Sequence, residues 1–322
     1  MVSLFESIYP YRRSVSPSEL QFMLKLFQQD LMTVLLEISY SSEDKIFLLM
    51  SSGKISCVYL AQGDRITRCP LSNLSTLFQG RDCAVRICEL ASSSFGAVRT
   101  ILEQSHSSNT LTASTTALSG IIQKWQATSE PSLVHIRWPH AEGFVFIPGN
   151  HFSARQYAFV AEGRSSDSAA AVSMFSRWSE AECTISQYTS DSQLEIWREN
   201  NLQLGFALLI EQIMRRYEDL VGHLLSRKLE SSLSRLSQTK SWSISIADTS
   251  VDDVQLFDSV DDAATAYRML FDLASRQISA VIGPRLFDEA VDAGVVSLGD
   301  PLRQAVEDNH LVAALAANSI RG

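Results

Sequence analysis

The 322-residue chain has no run of Lys or Arg, no long apolar stretch and no paired cysteine motif. Each absence removes a class of function. Affinity for nucleic acid comes from clustered cations that neutralise phosphates and release counterions. Here 27 Lys and Arg stand against 36 Asp and Glu, a formal net charge of −9, so no nucleic-acid partner is expected. The longest uninterrupted apolar run, 311–317, has seven residues, whereas a helix needs about 20 to cross a bilayer. No membrane insertion is expected. The opening stretch MVSLFESIYPYRRSV breaks every apolar pair with Glu, Ser, Pro or Arg, and a secretory signal needs an unbroken apolar core. The cysteines are Cys57, Cys69, Cys83, Cys88 and Cys183, odd in number and without a Cys-x-x-Cys pair. They read as reduced, buried thiols, and the expected location is cytoplasmic.

Catalytic patterns are missing too. There is no G-x-G-x-x-G, G-x-S-x-G or H-E-x-x-H. Ser51-Ser52-Gly53-Lys54 looks like part of a phosphate-binding loop, but that loop needs a Gly where Leu48 stands and a hydroxyl where Ile55 stands. His135, His140 and His151 lie close in sequence but flank strands and turns, and a zinc site needs three or four converging ligands. His223 on a helix has no acidic residue directly after it. The pairs Asp252-Asp253 and Asp261-Asp262 stand beside helix starts, where the dipole favours negative charge. The expectation is therefore no enzyme, no metal and no cofactor.

Periodicity predicts an α+β chain. From Pro17 to Ile38, apolar residues at Leu20, Met23, Leu24, Phe27, Leu31, Val34 and Leu35 mark one helical face. KIFLLM, KISCVYL and RITRC then read as strands of an antiparallel meander turning at Gly53 and Gly63. A short helix over 71–78 and a strand over 83–88 follow. Residues 104–119 hold nine Ser or Thr in sixteen and predict a linker. The order then recurs: strands in LVHIRW, GFVFI and FSARQYAFV, a helix over 168–178 and a strand over 183–188. Tyr59 to Ile66 matches Phe146 to Phe152 as strand, Gly turn, strand. Leu77-Phe78 before Cys83 to Ile87 matches Met174-Phe175 before Cys183 to Ile185. This pattern predicts an internal duplication.

Residues 193–236 predict one long helix with Phe206, Ile210, Ile213, Tyr217, Leu220 and Leu224 as a heptad seam for a second copy of the chain. A bend at Gly205 or Gly222 into two core helices is the alternative. After residue 238 the chain holds 6 basic and 13 acidic residues. There Trp242, Ile244 and Ile246 predict a strand, Ser259 to Asp262 a helix start, Gly283-Pro284 a break and Asp300-Pro301 a last helix. The expected organisation is a domain over 1–103, a linker over 104–130, a second domain over 131–192, a dimerisation helix over 193–237 and an acidic helical module over 238–322.

The repeated unit of helix, Gly-bounded hairpin, helix and strand resembles the PATAN domain family. Gly53-Lys54-Ile55-Ser56-Cys57-Val58-Tyr59-Leu60-Ala61-Gln62-Gly63-Asp64-Arg65-Ile66 looks like its strand, turn and strand signature. Gly143-Phe144-Val145-Phe146-Ile147-Pro148-Gly149 does so with shorter spacing. Trp178 to Ile185 looks like its helix end and final strand, with Glu182 where the family has Gly. The resemblance covers about 17–100 and 131–190. It implies a non-catalytic bacterial signalling adaptor or scaffold, linked to motility, pili or cell patterning. Its partners would be a second copy of itself and a basic signalling protein or response regulator. The candidate partner-binding residues are Tyr59, Gly63, Asp64, Arg65, Phe146, Gly149 and His151 on the hairpins, and Asp248, Asp252, Asp253 and Asp258 as an acidic docking segment. Two alternatives stand beside it. One is a roadblock-type regulator of a small GTPase, which predicts strand pairing between the two copies. The other is a small-ligand sensor with a pocket of Trp138, Phe146 and Trp178.

Overall fold

The computed structural model describes residues 13–41, 44–63, 65–73, 81–104, 106–128, 130–139, 141–149, 155–161, 164–166, 182–253, 255, 257 and 259–312. The fold is α+β. Residues 1–127 and 132–189 form one compact unit, and residues 128–131 and 190–322 form another.

The first unit is built on a sheet. Its elements are β1 (Arg13–Val15), α1 (Pro17–Gln29), β2 (Val34–Ser39), β3 (Asp44–Ser51), β4 (Lys54–Gln62), β5 (Arg65–Cys69), β6 (Cys83–Glu89) and α2 (Ser92–Glu103), then β7 (Asn109–Ser114), α3 (Thr115–Gln126), β8 (Ser132–Trp138), β9 (Ala141–Ile147), β10 (Arg155–Ala161), β11 (Arg164–Ser166) and β12 (Glu182–Thr189). The strand order is β5-β4-β3-β2-β6-β11-β10-β9-β8-β12-β7, with β1 also paired to β6. Each half runs through one path: an edge strand, a helix, a four-strand meander and a fifth strand returning beside the first of the meander.

The duplication extends to single residues. Val15 pairs with Cys83 as Ala113 pairs with Cys183, and each thiol donates to the facing carbonyl, at 3.9 and 3.3 Å. Leu20, Met23, Leu24 and Phe27 of α1 pack on the first repeat's sheet face, and Leu118, Ile121, Ile122 and Trp125 of α3 on the second's. The α1 start is fixed by a capping box, in which Ser16 N donates to Glu19 Oε2 (2.8 Å) and Glu19 N donates to Ser16 Oγ (3.4 Å).

Several expectations change. The stretch over 104–130 is not a linker: it holds β7 and α3, the opening of the second repeat. Thr at alternate positions suits an edge strand, and the apolar residues of α3 lie behind its Ser/Thr-rich start. Helix α1 stops at Gln29, because Leu31 turns at φ 52° and Val34 to Ser39 is a strand buried on both faces. The duplication is present, but Tyr59 lies on the third meander strand and Phe146 on the second, so that pairing is offset by one strand; Cys83 and Cys183 do correspond. Of the helix expected over 71–78, Leu71–Asn73 is a single 3-10 turn, and the remainder lies outside the described residues, as does the helix over 168–178.

The second unit holds α4 (Glu195–Val221), α5 (His223–Thr239), the hairpin β13 (Ile244–Ala247) and β14 (Ser250–Asp253), α6 (Val260–Ile282), α7 (Pro284–Ser297) and α8 (Asp300–Asp308). The single long helix over 193–237 is broken at Gly222, where φ 80° and ψ 165° lie in a region essentially reserved for glycine. Helix α4 is the hub, with α5, α6, α7, α8 and β14 packed around it. Phe206, Ile210, Ile213 and Tyr217 are buried there, so the dimer seam is occupied by the chain's own elements; Leu220 and Leu224 are exposed. Gly205 permits close approach of α8, since a Cβ there would lie 2.9 Å from Val306 Cγ2 and 3.0 Å from the Leu302 carbonyl oxygen.

Candidate functional site

In the sheet unit, the face opposite α1 carries ionisable groups at equivalent points of the two repeats. Glu37 on β2 faces Phe47 on β3 and Arg86 on β6; His135 on β8 faces Phe144 on β9 and Ser186 on β12. One step along the hairpin, Lys45 corresponds to Glu142. Glu37 accepts from Lys45 Nζ at 3.1 Å and from Arg86 Nη1 at 3.2 Å. His135 Nε2 lies 2.7 Å from Glu142 Oε2, with the imidazole stacked on Phe144 at 5.0 Å. The polarity is inverted between repeats: acid then base in the first, base then acid in the second. A third group joins Tyr59, whose hydroxyl donates to Glu103 Oε1 at 2.8 Å, to Arg99, whose Nε donates to the same oxygen at 3.0 Å. Burial pushes the thiols of Cys57 and Cys88 and the Tyr59 phenol up, away from their charged forms. Thiols so placed are poor nucleophiles.

The hairpin residues expected to meet a partner divide sharply. Tyr59 and Phe146 are buried in the sheet, and Gly149 is buried at a turn. Gly63 and Arg65 are exposed at the β4–β5 end, while Asp64 and His151 lie outside the described residues. Trp138 and Phe146 point to opposite faces: Trp138 faces Ala141 and packs with Val145 and Ile147, and its Nε1 donates to Thr115 Oγ1 at 2.8 Å. They line no common pocket; Trp178 lies outside the described residues.

The expected acidic docking segment is likewise divided. Asp248 and Asp252 are exposed, and Asp258 lies outside the described residues. Asp253 is buried: its Oδ2 accepts from Tyr267 Oη at 2.7 Å and its Oδ1 from Gln255 N at 3.0 Å. Burial raises its pKa to about 6, against the lowering effect of these hydrogen bonds. Buried Glu211 accepts from Val251 N at 2.9 Å, and Glu230 accepts from Thr249 N at 2.8 Å. These three carboxylates hold the β13–β14 hairpin, so part of the acidic charge is structural.

An open acidic feature lies elsewhere in the helical unit, in a cleft of about 690 Å³ at the starts of α4, α6 and α8. Glu130, Glu195, Asp261, Asp300 and Asp308 line it with Arg198, and among the described residues no His, Lys or Cys joins them. Asn201 of α4 also lines it; its Nδ2 donates to Ser190 Oγ at 3.0 Å, and its buried Oδ1 has no hydrogen-bond partner among the described residues. Sequence reasoning passed over this residue, although Asn200-Asn201 inside an apolar helix is a visible anomaly. Among the described residues, no group of three or more His, Cys, Asp or Glu is placed to hold a metal, and no helix is long and apolar enough to cross a membrane. No protein-family model matches the chain, nor does any curated protein or solved structure.

Proposed function

We propose that the protein is a non-catalytic adaptor that brings signalling proteins together, the role implied by its resemblance to PATAN domains. The observation that carries this reading is a contrast within the molecule. The sheet's central ionisable groups are drawn into buried pairs that hold strands and helices together. The cleft, by contrast, gathers five carboxylates in one lining, a set suited to holding the basic groups of a partner. The partner class is a basic signalling protein or response regulator, in a pathway of motility, pili or cell patterning.

The test is reciprocal capture. The tagged chain should retain a specific protein from its native host, that protein should recapture the chain, and the purified pair should associate in solution. Turnover of a small molecule by the purified chain, with no protein partner in either direction, would overturn the reading.

One observation favours a second reading, regulation of a small GTPase by a roadblock-type module. That reading predicts strand pairing between the two copies, and β11 of the second repeat pairs in parallel with β6 of the first through Arg164 and Glu89. A changed rate of nucleotide exchange or hydrolysis in a GTPase from the same host would support it; an unchanged rate in a confirmed complex would count against it.

A further inference from the structure

We infer that the cleft at the starts of α4, α6 and α8 seats a guanidinium or ammonium group carried by a basic segment of a partner protein. The inference rests on the adaptor reading and names the chemistry of its partner.

Three helix starts converging on one cleft would ordinarily attract an anion, because unpaired backbone N–H groups and the dipole make each start positive. Here that charge is already met within the chain. Glu195, Asp261 and Asp300 each sit in the first turn of their own helix and also line the cleft. The α6 start is closed by Ser259, whose Oγ accepts from Asp262 N at 3.1 Å. Glu130 and Asp308 add two more carboxylates; among the described residues Arg198 is the only cation in the lining. An anion would enter against this field, and a cation with it.

Asn201 supplies the second observation. It is 3% exposed, and its Oδ1 accepts no hydrogen bond from the described residues. A buried acceptor left unpaired costs about 1–3 kcal/mol, and a donor from outside the chain would remove that cost. Arginine and lysine side chains are pure donors. Carboxylates and an amide acceptor sharing one lining thus form a donor-seeking set of the right sign. The occupant is a protein segment rather than a free metal ion, since no group of three carboxylates or histidines among the described residues converges at ligand spacing.

The experiment is fluorescence anisotropy on the full chain with two labelled peptides, one alternating Gly with Arg and Lys, the other alternating Gly with Glu. Spermidine and inorganic phosphate serve as competitors. The basic peptide should bind, and binding should weaken as salt rises. The double variant Asp261→Asn/Asp308→Asn changes two exposed side chains and should weaken binding tenfold or more. Asp219→Asn, an exposed change on α4 outside the lining, should leave it unaltered. Asn201→Leu should also weaken it; if that variant does not fold, the exposed double variant carries the test. Equal affinity in the double variant, binding of phosphate or the acidic peptide, or binding of spermidine without the peptide would each overturn the inference. A reciprocally captured protein that ignores the double variant would overturn the cleft and leave the adaptor reading standing.

Discussion

Asp253 shows how a single buried acid ties stability to pH. Its folded-state pKa of about 6 lies above the ordinary 3.8, because burial disfavours the carboxylate more than its hydrogen bonds favour it. Between those values the folded chain holds a proton that the unfolded chain has released. Stability from this group is therefore greatest below about pH 4, declines as the pH rises to about 6, and is level above that. A displacement of about two units corresponds to about 3 kcal/mol. Asp253→Asn keeps the side chain's shape without the charge, so urea midpoints measured from pH 4 to 7 should lose this decline. A decline identical to the parent chain's would assign it to other groups. Glu37 is a different case, a buried carboxylate paired with two cations. Glu37→Gln leaves Lys45 and Arg86 buried beside each other without the acid between them. It should cost about 3–5 kcal/mol in urea unfolding; a loss under about 1 kcal/mol would show that the pair is effectively solvated. This site was not legible in the sequence, where Val34 and Leu35 read as the end of a helical face, and its partners on β3 and β6 become evident only once the strands are in register.

At the scale of elements, legibility followed the number of competing explanations for a pattern. β6 and β12 were readable because alternation within a short strand admits few alternatives. β13 and the Ser259 helix start were readable for the same reason, from local periodicity and capping chemistry. The heptad from Phe206 to Leu224 was real but ambiguous: a seam for another chain and a core helix inside its own unit have the same spacing. Packing of α6, α7 and α8 around α4 decided it. The Ser/Thr-rich opening of the second repeat hid β7 and α3, because composition dominated the four apolar residues at helical spacing. Gly222 is where element and residue scales meet. A Cβ there would meet nothing within 4 Å, so any penalty is that of the backbone at φ +80°. Gly222→Ala should destabilise the helical unit by about 1–3 kcal/mol, measured by thermal or urea unfolding. A neutral result would show that α4 and α5 can join at this point as a continuous helix.

For the whole molecule, the consequence of duplication depends on how the two repeats are joined. Edge strand β7 covers β12 along nearly its full length, so the second repeat offers no free fifth strand to another copy. In the first repeat β1 covers only the start of β6, from Cys83 to Val85, which leaves Glu89 to pair with Arg164 of β11. Strand pairing at that joint is slight, but α2 spans it: the helix packs on β3 and β5 of its own repeat and on β9 and β10 of the second. Its Phe95, Val98, Ile101 and Leu102 are almost fully buried, and such side chains contribute about 1.5–3 kcal/mol each when removed from water. Unfolding the second repeat alone would uncover part of that helix as well as the β6 edge. The two repeats should therefore unfold as one cooperative unit although each has a complete meander and its own helix. Hydrogen exchange followed by mass spectrometry in moderate urea checks this: peptides from β2–β4 and from β8, β9 and β12 should lose protection with the same midpoint. If β8, β9 and β12 exchange while β2–β4 stay protected, the repeats are independent domains and α2 does not couple them.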